Sequence, residues 1–133
     1  MDILSRSARS VRMGLIRSRD TKPEMAVRRL VYGLGYRFRL HGKNLPGRPD
    51  LVFRSRLKVI FVHGCFWHMH RNCGRQPKSR LTYWKPKLQR NAERDKIVRR
   101  ELNRNGWRSL VIWECQIGRT VVERRIRRFL DKD

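Results

Sequence analysis

PDLVFRSRLKVIFV, residues 49–62, holds two apolar runs, DLVF and LKVIFV, separated by the basic tripeptide RSR. Both runs are short and rich in β-branched and aromatic residues, as strands are. The turn-forming stretch NLPGRP leads into the first run. The pattern predicts two consecutive strands joined by a short connection.

Upstream of these strands, a helix is predicted to begin at Thr21. Thr21 and Glu24 have the spacing of a capping box, and Pro23 lies in the first turn. Gly33 and Gly35 end the helix. Residues 36–41, YRFRLH, then alternate between apolar and basic side chains, which predicts a half-buried strand. The apolar stripe of the helix consists of Val27, Leu30, Val31 and Leu34.

Downstream, the sequence predicts a second helix, a further strand and a last helix. The second helix spans about 91–105 and stops at Gly106, and the strand covers 107–113, WRSLVIW. Thr120 is the expected N-cap of the last helix. The apolar stripe of that helix consists of Val122, Ile126, Phe129 and Leu130. The order helix, three strands, helix, strand, helix predicts an α/β fold with a mixed sheet.

The charge of the chain points to a polyanionic partner. The 133 residues suit one domain, and 34 Lys+Arg against 11 Asp+Glu leave a formal charge of +23. A single basic residue is ordinarily a solvated surface residue, but a surface normally mixes both signs. Nucleic acid is favoured over a membrane surface because no apolar face accompanies the charge.

The first 20 residues form a basic segment rich in Arg and Ser. Such a start can imitate an organelle transit peptide, but we interpret it as an arm that follows a phosphate backbone. No apolar run reaches transmembrane length. The three cysteines, an odd number, argue against a closed disulfide framework and suit a reducing compartment.

Asp50 follows Pro49 where the first of the two central strands begins. A carboxylate at the mouth of a strand can hold a hard cation such as Mg²⁺, whereas an isolated Pro-Asp is more often a turn or capping residue. The basic composition favours the cation, because Mg²⁺ bridging a carboxylate and a phosphate is a common means of cleaving phosphodiesters.

Asp95 falls on the apolar stripe of the second predicted helix. The other members of that stripe are Leu88, Ala92, Val98 and Leu102. A buried acid needs a partner, since an unpaired buried charge is costly. The partner is either an arginine in a structural salt bridge or a histidine that activates water, and the sequence favours neither.

HGCFWHMHRNC, residues 63–73, begins where the second central strand ends. Cys65, His70 and Cys73 have the form C-x4-H-x2-C, and Cys115 in the later WEC triplet completes a Cys3His set typical of structural zinc. Buried free cysteines are the alternative. That alternative suits Cys115 better than it suits two cysteines in a charged loop.

A closed zinc site needs four ligands, so His63 and His68 are left over. Histidine titrates near neutral pH, and these two are candidate proton carriers, although a lone histidine is more often structural. From this motif to about Tyr83 the sequence predicts a loop rich in polar and basic residues; Phe66 and Trp67 lie within the loop, and Trp84 lies at its end. They are either core aromatics or wedges that unstack DNA base steps.

Taken together, LPGRPDLVF, VIFVHGCFWH, YW, NAERD and GWRSLVIWEC closely resemble the motifs of the very-short-patch repair (Vsr) DNA mismatch endonucleases. The resemblance covers nearly the whole chain in collinear order. It extends upstream to TKPE and to an RSxxMxxI pattern formed by Arg9, Ser10, Met13 and Ile16. It implies a restriction-endonuclease-like fold with a structural zinc, and Mg²⁺-dependent nicking 5′ to the thymine of a T·G mismatch. It also implies that residues 1–20 are a DNA-clasping arm and residues 21–133 the endonuclease domain.

Residue by residue, the resemblance implies that Asp50 binds the catalytic Mg²⁺ with the backbone carbonyl of Val62, where the family usually has threonine. His68 would activate the attacking water with Asp95 behind it, and His63 would lie near the scissile phosphate. The implied zinc ligands are Cys65, His70, Cys73 and Cys115, and the implied intercalating aromatics are Phe66, Trp67 and Trp84.

These inferences predict a bacterial, cytoplasmic, nucleoid-associated enzyme that acts on double-stranded DNA containing a T·G mismatch. It would work as a monomer, without a membrane partner, and alongside repair-pathway proteins. Two alternatives stay open. One is a Vsr-like homing or restriction endonuclease that cuts intact duplex, and the other is a zinc-stapled nucleic-acid-binding protein without catalysis.

Overall fold

The computed structural model describes residues 20–65, 68, 70 and 81–132. The helices and strands within these residues are, in chain order, α1 (Lys22–Gly33), β1 (Arg39–Leu40), β2 (Leu51–Phe53), β3 (Lys58–His63), α2 (Leu81–Arg104), β4 (Arg108–Trp113) and α3 (Thr120–Asp131). Short 3-10 turns follow β2 and β4. The predicted order of elements and the α/β class are confirmed.

The four strands form one mixed sheet in the order β1-β2-β3-β4. β1, β2 and β3 are antiparallel neighbours, whereas β3 and β4 are parallel and are connected through α2. Their register pairs His63 with Trp113. Because parallel strands end at the same edge of a sheet, the segments that follow His63 and Trp113 leave the sheet side by side.

Successive strand side chains point to opposite faces of the sheet, so both faces carry apolar side chains. Helices cover both of these faces. The cluster under α1 and α3 consists of Val27, Val31, Leu51, Phe53, Ile60, Ile112, Val122, Ile126 and Leu130. The cluster under α2 consists of Val52, Val59, Phe61 and Leu102. His63 follows Phe61 at a spacing of two along β3, so its side chain belongs on the face that α2 covers.

α1 begins as its sequence predicts. The Thr21 hydroxyl accepts the backbone N–H of Glu24, and the Glu24 carboxylate accepts the backbone N–H of Thr21, both at 3.3 Å. Val27 and Val31 are buried against the sheet. The capping box therefore fixes the Glu24 side chain at the N-terminus of α1, where it is buried.

β1 is shorter than the strand predicted for residues 36–41. Only Arg39–Leu40 pair with a neighbour. β2, the neighbouring strand, has three residues and offers few partners. His41 then adopts a left-handed φ of +50°, and the following turn stays hydrogen-bonded to the residues before β2, with the Gly42 N–H 3.0 Å from the Pro49 carbonyl oxygen.

α2 is longer than the predicted helix 91–105, because residues 81–90 are already helical. The loop predicted from the sequence extended to about Tyr83, whereas the helix begins at Leu81 and contains Pro86, although proline normally breaks a helix interior. The placement of Trp84 at the end of that loop was therefore wrong, since Trp84 lies on α2. Thr120 is the first residue of α3 and not its N-cap; Arg119 takes the cap position without a side-chain hydrogen bond.

Some predicted roles fall on residues outside the described ranges. These residues are Phe66, Trp67, Cys73 and residues 1–19 of the N-terminal segment. Within the described ranges, no helix combines the length and apolarity required to cross a lipid bilayer.

Candidate active site and metal centre

Asp50 lies at the edge of the sheet where β2 begins. Its Oδ2 accepts a hydrogen bond from the backbone N–H of Val62 at 2.6 Å. Pro49 would face Val62 if the β2–β3 ladder continued, but proline has no N–H to donate. Since the N–H and C=O of one strand residue point to the same side, the Val62 carbonyl also faces this edge and receives no donor from Pro49.

Burial raises the pKa of Asp50 from 3.8 to about 7. The Val62 N–H opposes this shift, whereas Glu24 raises the pKa of Asp50 further by charge repulsion and by a hydrogen bond between the two side chains. Two carboxylates so close together favour a shared proton or a cation between them. The pair is therefore a candidate site for a hard cation.

Glu24 is a candidate site residue that the sequence analysis used only as a helix cap. Its side chain is 6% exposed and lies beside Asp50. The TKPE motif contained it, but a glutamate three residues after a threonine is explained fully by the capping box. Only the packing of α1 against the start of β2 brings this carboxylate to Asp50.

The structure brings His68 and Asp95 together. The Nδ1 of His68 lies 2.6 Å from Oδ2 of Asp95. A carboxylate can only accept, so Nδ1 donates, and neutral His68 keeps its lone pair on Nε2. Of the two partners that the sequence left open for Asp95, the structure therefore contains the histidine. Both side chains are partly exposed, at 26% and 21%, and water can reach them.

His63 stacks on His68, with ring centroids 3.8 Å apart and an interplanar angle of 5°. His63 is buried, and its Nδ1 has no hydrogen-bond partner among the described residues. Burial, together with repulsion from a charged His68, lowers the pKa of His63 to about 3. His63 therefore stays neutral near neutral pH.

Ligand atoms of His63, His68 and Asp95 all lie within 4.8 Å of one another, a separation that a metal ion could span. The lone pairs of an imidazole lie in the ring plane, however, and these two rings are nearly parallel. Their lone pairs do not converge on a single tetrahedral ion. The arrangement favours proton transfer over metal binding.

Cys65, His70 and Cys115 form a second group whose ligand atoms lie within 4.8 Å of one another. The distance from His70 Nδ1 to Cys115 Sγ is 3.3 Å, and tetrahedral zinc bonds would separate such atoms by about 3.6 Å. Cys65 is fully buried. These three residues fit a soft metal ion, and the fourth predicted ligand, Cys73, lies outside the described residues.

Trp113 lies between the two groups. Its ring stacks on His70 at 4.2 Å and 9°, and it meets the edge of His63 at 5.2 Å and 77°. The adjacent Glu114 accepts the backbone N–H of Cys65 at 3.2 Å. Sequence reasoning treated Trp113 as the end of a buried strand; the WEC triplet was the available signal for its place in the site.

Trp84, predicted to intercalate into DNA, lies half-buried on α2. Its ring meets that of Tyr83 edge-to-face, with centroids 5.0 Å apart. This position is compatible with either a packing role or a DNA contact.

Comparison with known proteins identifies the family. Residues 1–75 match the family described as DNA mismatch endonuclease Vsr. The type II nicking enzyme V.XorIIP of Xanthomonas oryzae pv. oryzae is 50% identical over 133 residues, which cover 98% of this chain and 97% of that protein. The type II nicking enzyme V.NmeAIP of Neisseria meningitidis is 38% identical over 97% of this chain and 94% of its own length. The DNA mismatch endonuclease Vsr of Escherichia coli is 41% identical over 87% and 75%, respectively.

The matches to these three relatives cover from 87% to 98% of the chain, and they confirm the resemblance seen in its motifs. The chain therefore belongs to the Vsr family of DNA mismatch endonucleases.

Proposed function

We propose that this protein is a Mg²⁺-dependent endonuclease that nicks double-stranded DNA on the 5′ side of the thymine in a T·G mismatch. Family membership supports the coarser statement that the protein is a strand-nicking DNA endonuclease. The single observation that supports a catalytic role is that the Asp50 carboxylate and the histidine pair both lie at the end of β3. Asp50 binds Val62 there, and the next residue, His63, stacks on the His68–Asp95 pair.

Asp50 and the backbone carbonyl of Val62 would hold the Mg²⁺. Both supply oxygen, the ligand that Mg²⁺ prefers, and a backbone carbonyl does not depend on the valine side chain. Glu24 adds a second carboxylate beside Asp50. When bound, the ion would polarise the scissile phosphate and stabilise charge that develops on its oxygens.

His68 would take a proton from the attacking water at Nε2. Asp95 accepts the hydrogen bond from Nδ1, which sets the orientation of the ring and would stabilise the imidazolium as it forms. In this proposal His63 is the second active-site histidine. It is a neutral ring that stacks on His68 and would lie near the scissile phosphate. The attack would be in line with the leaving oxygen.

Cys65, His70, Cys73 and Cys115 would hold a structural Zn²⁺. The thiolates and the imidazole suit a closed zinc site, and that site would fasten the segment carrying His68 to the end of β4. We propose that the α/β sheet with this site is a restriction-endonuclease-like domain of residues 21–133, preceded by a DNA-clasping arm of residues 1–20.

The DNA interface would combine phosphate contacts with intercalation. α2 carries a series of exposed arginines, namely Arg90, Arg94, Arg99, Arg100 and Arg104, which suit contacts with a polyanionic backbone. Phe66, Trp67 and Trp84 would wedge beside the mismatch. One active site suffices for one nick, so we propose a monomer that acts in the bacterial cytoplasm at the nucleoid, alongside repair-pathway proteins.

One alternative is supported by the names of the relatives. Several are called type II nicking enzymes without mention of a mismatch, so a Vsr-like homing or restriction endonuclease that cuts intact duplex is the second candidate. The other alternative, a non-catalytic zinc-stapled binding protein, requires that Asp50→Ala leave every activity unchanged.

The deciding experiment uses three duplexes that carry T·G, T·A or C·G at one position, with each strand labelled in turn. We expect a single cut 5′ to the thymine of the T·G duplex, dependent on added Mg²⁺ and lost in Asp50→Ala. Equal cutting of the T·A duplex would favour the intact-duplex enzyme. Binding to all three duplexes without any cut would favour the non-catalytic protein.

A further inference from the structure

Arg28 lies on α1 one turn after Glu24 and joins several polar side chains. Its Nη2 atom is 2.9 Å from Asp20 Oδ1, 3.5 Å from Glu24 Oε2 and 3.2 Å from His41 Nε2. The Arg28 side chain is only 12% exposed. One guanidinium thus connects α1 with Asp20, two residues before the helix, and with His41, which directly follows β1.

Two of these partners have an unusual backbone. Asp20 and His41 adopt left-handed φ values of +56° and +50°. Such conformations cost energy in residues other than glycine and persist only where the surroundings hold them. The Arg28 guanidinium lowers the pKa of Asp20 through its hydrogen bond and so favours the charged partner. The cluster is therefore a built ion-pair network.

The Glu24 carboxylate is held through one of its two oxygens. Oε2 accepts the Thr21 N–H at 3.3 Å and lies 3.5 Å from Arg28 Nη2. A carboxylate gripped at one oxygen cannot rotate freely, which keeps the group in place beside Asp50. Two carboxylates removed from water repel each other, and a cation in contact with them offsets that repulsion.

We propose that Arg28 is a positioning residue, which holds Glu24 against Asp50 and so sets the affinity of the site for its divalent ion. The inference rests on the proposed function, because it assumes that Asp50 binds such an ion. Arg28 itself touches neither the ion nor the DNA in this scheme. It acts through Glu24, as hydrogen-bonded partners of metal ligands commonly do.

The test compares Arg28→Met and Arg28→Lys with a matched control, Arg29→Met. Arg29 is the next residue of α1 and is exposed. Nicking of the T·G duplex is followed as Mg²⁺ is titrated, which separates the half-maximal Mg²⁺ concentration from the rate at saturation. Independently of turnover, Mn²⁺ binding is measured by electron paramagnetic resonance on the DNA complex of each variant in a His68→Ala background.

We expect Arg28→Met to raise the half-maximal Mg²⁺ concentration and the Mn²⁺ dissociation constant by about tenfold or more. The rate at saturating Mg²⁺ should change much less. Arg28→Lys keeps the positive charge but lacks the planar guanidinium with its several N–H donors. Its half-maximal Mg²⁺ concentration and Mn²⁺ dissociation constant should therefore fall between those of the wild type and Arg28→Met. Arg29→Met should match the wild type.

A double variant tests the route through Glu24. If Arg28 acts through that carboxylate, adding Arg28→Met to Glu24→Gln should weaken Mn²⁺ binding little further. Unchanged Mn²⁺ binding in Arg28→Met overturns the inference. Tighter binding overturns it as well, because that result means that the Arg28 guanidinium only repels the metal ion. If Arg28→Met does not fold, wild-type affinity in Arg28→Lys overturns it equally. Nicking by the wild type without any divalent ion would instead refute the proposed function.

Discussion

The Nδ1 atom of His68 lies 2.6 Å from Oδ2 of Asp95, although 27 positions separate the two residues in the chain. His68 follows the end of β3, and Asp95 lies in the middle of α2, the helix that connects β3 to β4. The helix packs back over the face of the sheet on which His63 lies. The catalytic pair that we propose is therefore a product of the β3–α2–β4 crossover.

We predict that Asp95→Asn lowers the single-turnover rate of nicking by about a hundredfold or more. An amide can still contact Nδ1, but it supplies no negative charge to stabilise the imidazolium. The measurement is a single-turnover assay at saturating Mg²⁺, and the affinity for DNA should stay nearly constant. Glu93→Gln is the matched control, since Glu93 lies on the same helix and its side chain is 70% exposed. An equal loss in both variants would contradict the role given to Asp95.

We predict that, without Mg²⁺, Asp50→Asn becomes increasingly more stable than the wild type as the pH rises from about 4 to 7. The folded state raises the pKa of Asp50 from 3.8 to about 7, so the folded protein binds more protons than the unfolded protein in this interval. Stability of the wild type is then lost as the pH rises through it. Asparagine cannot ionise and should be spared that loss, while its side-chain oxygen can still accept the Val62 N–H.

The measurement is the difference in Tm between Asp50→Asn and the wild type at several pH values, in buffer passed over a chelating resin but free of soluble chelator. The difference should grow towards pH 7. Added Mg²⁺ should then raise the Tm of the wild type more than that of the variant, since a ligand stabilises the state that binds it. A difference in Tm that does not vary with pH would argue against a buried, neutral Asp50.

We predict close to one zinc per chain in the purified protein, and loss of that zinc in Cys115→Ser. The group of Cys65, His70 and Cys115 has the ligand separations of such a site. Removing a ligand should lower the Tm substantially, because metal binding and folding are coupled. Elemental analysis gives the zinc content, and Asp50→Asn is the control that should retain it. A metal-free wild type that stays stably folded would remove the zinc assignment.

We predict that Gly47→Ala destabilises the protein by about 1–3 kcal/mol. Gly47 has a φ of +74°, and an added Cβ would lie 2.4 Å from Cγ1 of Val98 on α2. The turn would have to move, and it leads directly into Asp50. Chemical denaturation measures the free energy of unfolding. Gly33→Ala is the contrasting variant: its Cβ would meet nothing within 4 Å, so its stability should equal or slightly exceed that of the wild type.

Much of the fold follows from patterns that lie close together in the sequence. The capping box and apolar stripe of α1, the runs of β2 and β3, and the glycine stop after α2 involve residues within a few positions of one another. Hydrogen bonds and side-chain periodicity of this kind are local, so the sequence predicts them. Local patterns placed the start of α2 too late, because this helix contains Pro86 against the usual preference of proline and buries residues such as Leu88 in the core.

The sequence by itself determined the α/β class, the element order and the family, and it named Asp50, His68, Asp95 and the Cys/His group as candidates. Only the tertiary structure decided which of them meet. It set Glu24 beside Asp50, gave Asp95 a histidine instead of an arginine, and inserted Trp113 between His63 and His70. The physical reason is that these contacts depend on how helices pack across the sheet, and such packing is fixed by the shape and burial of the whole core and not by the spacing of neighbours along the chain.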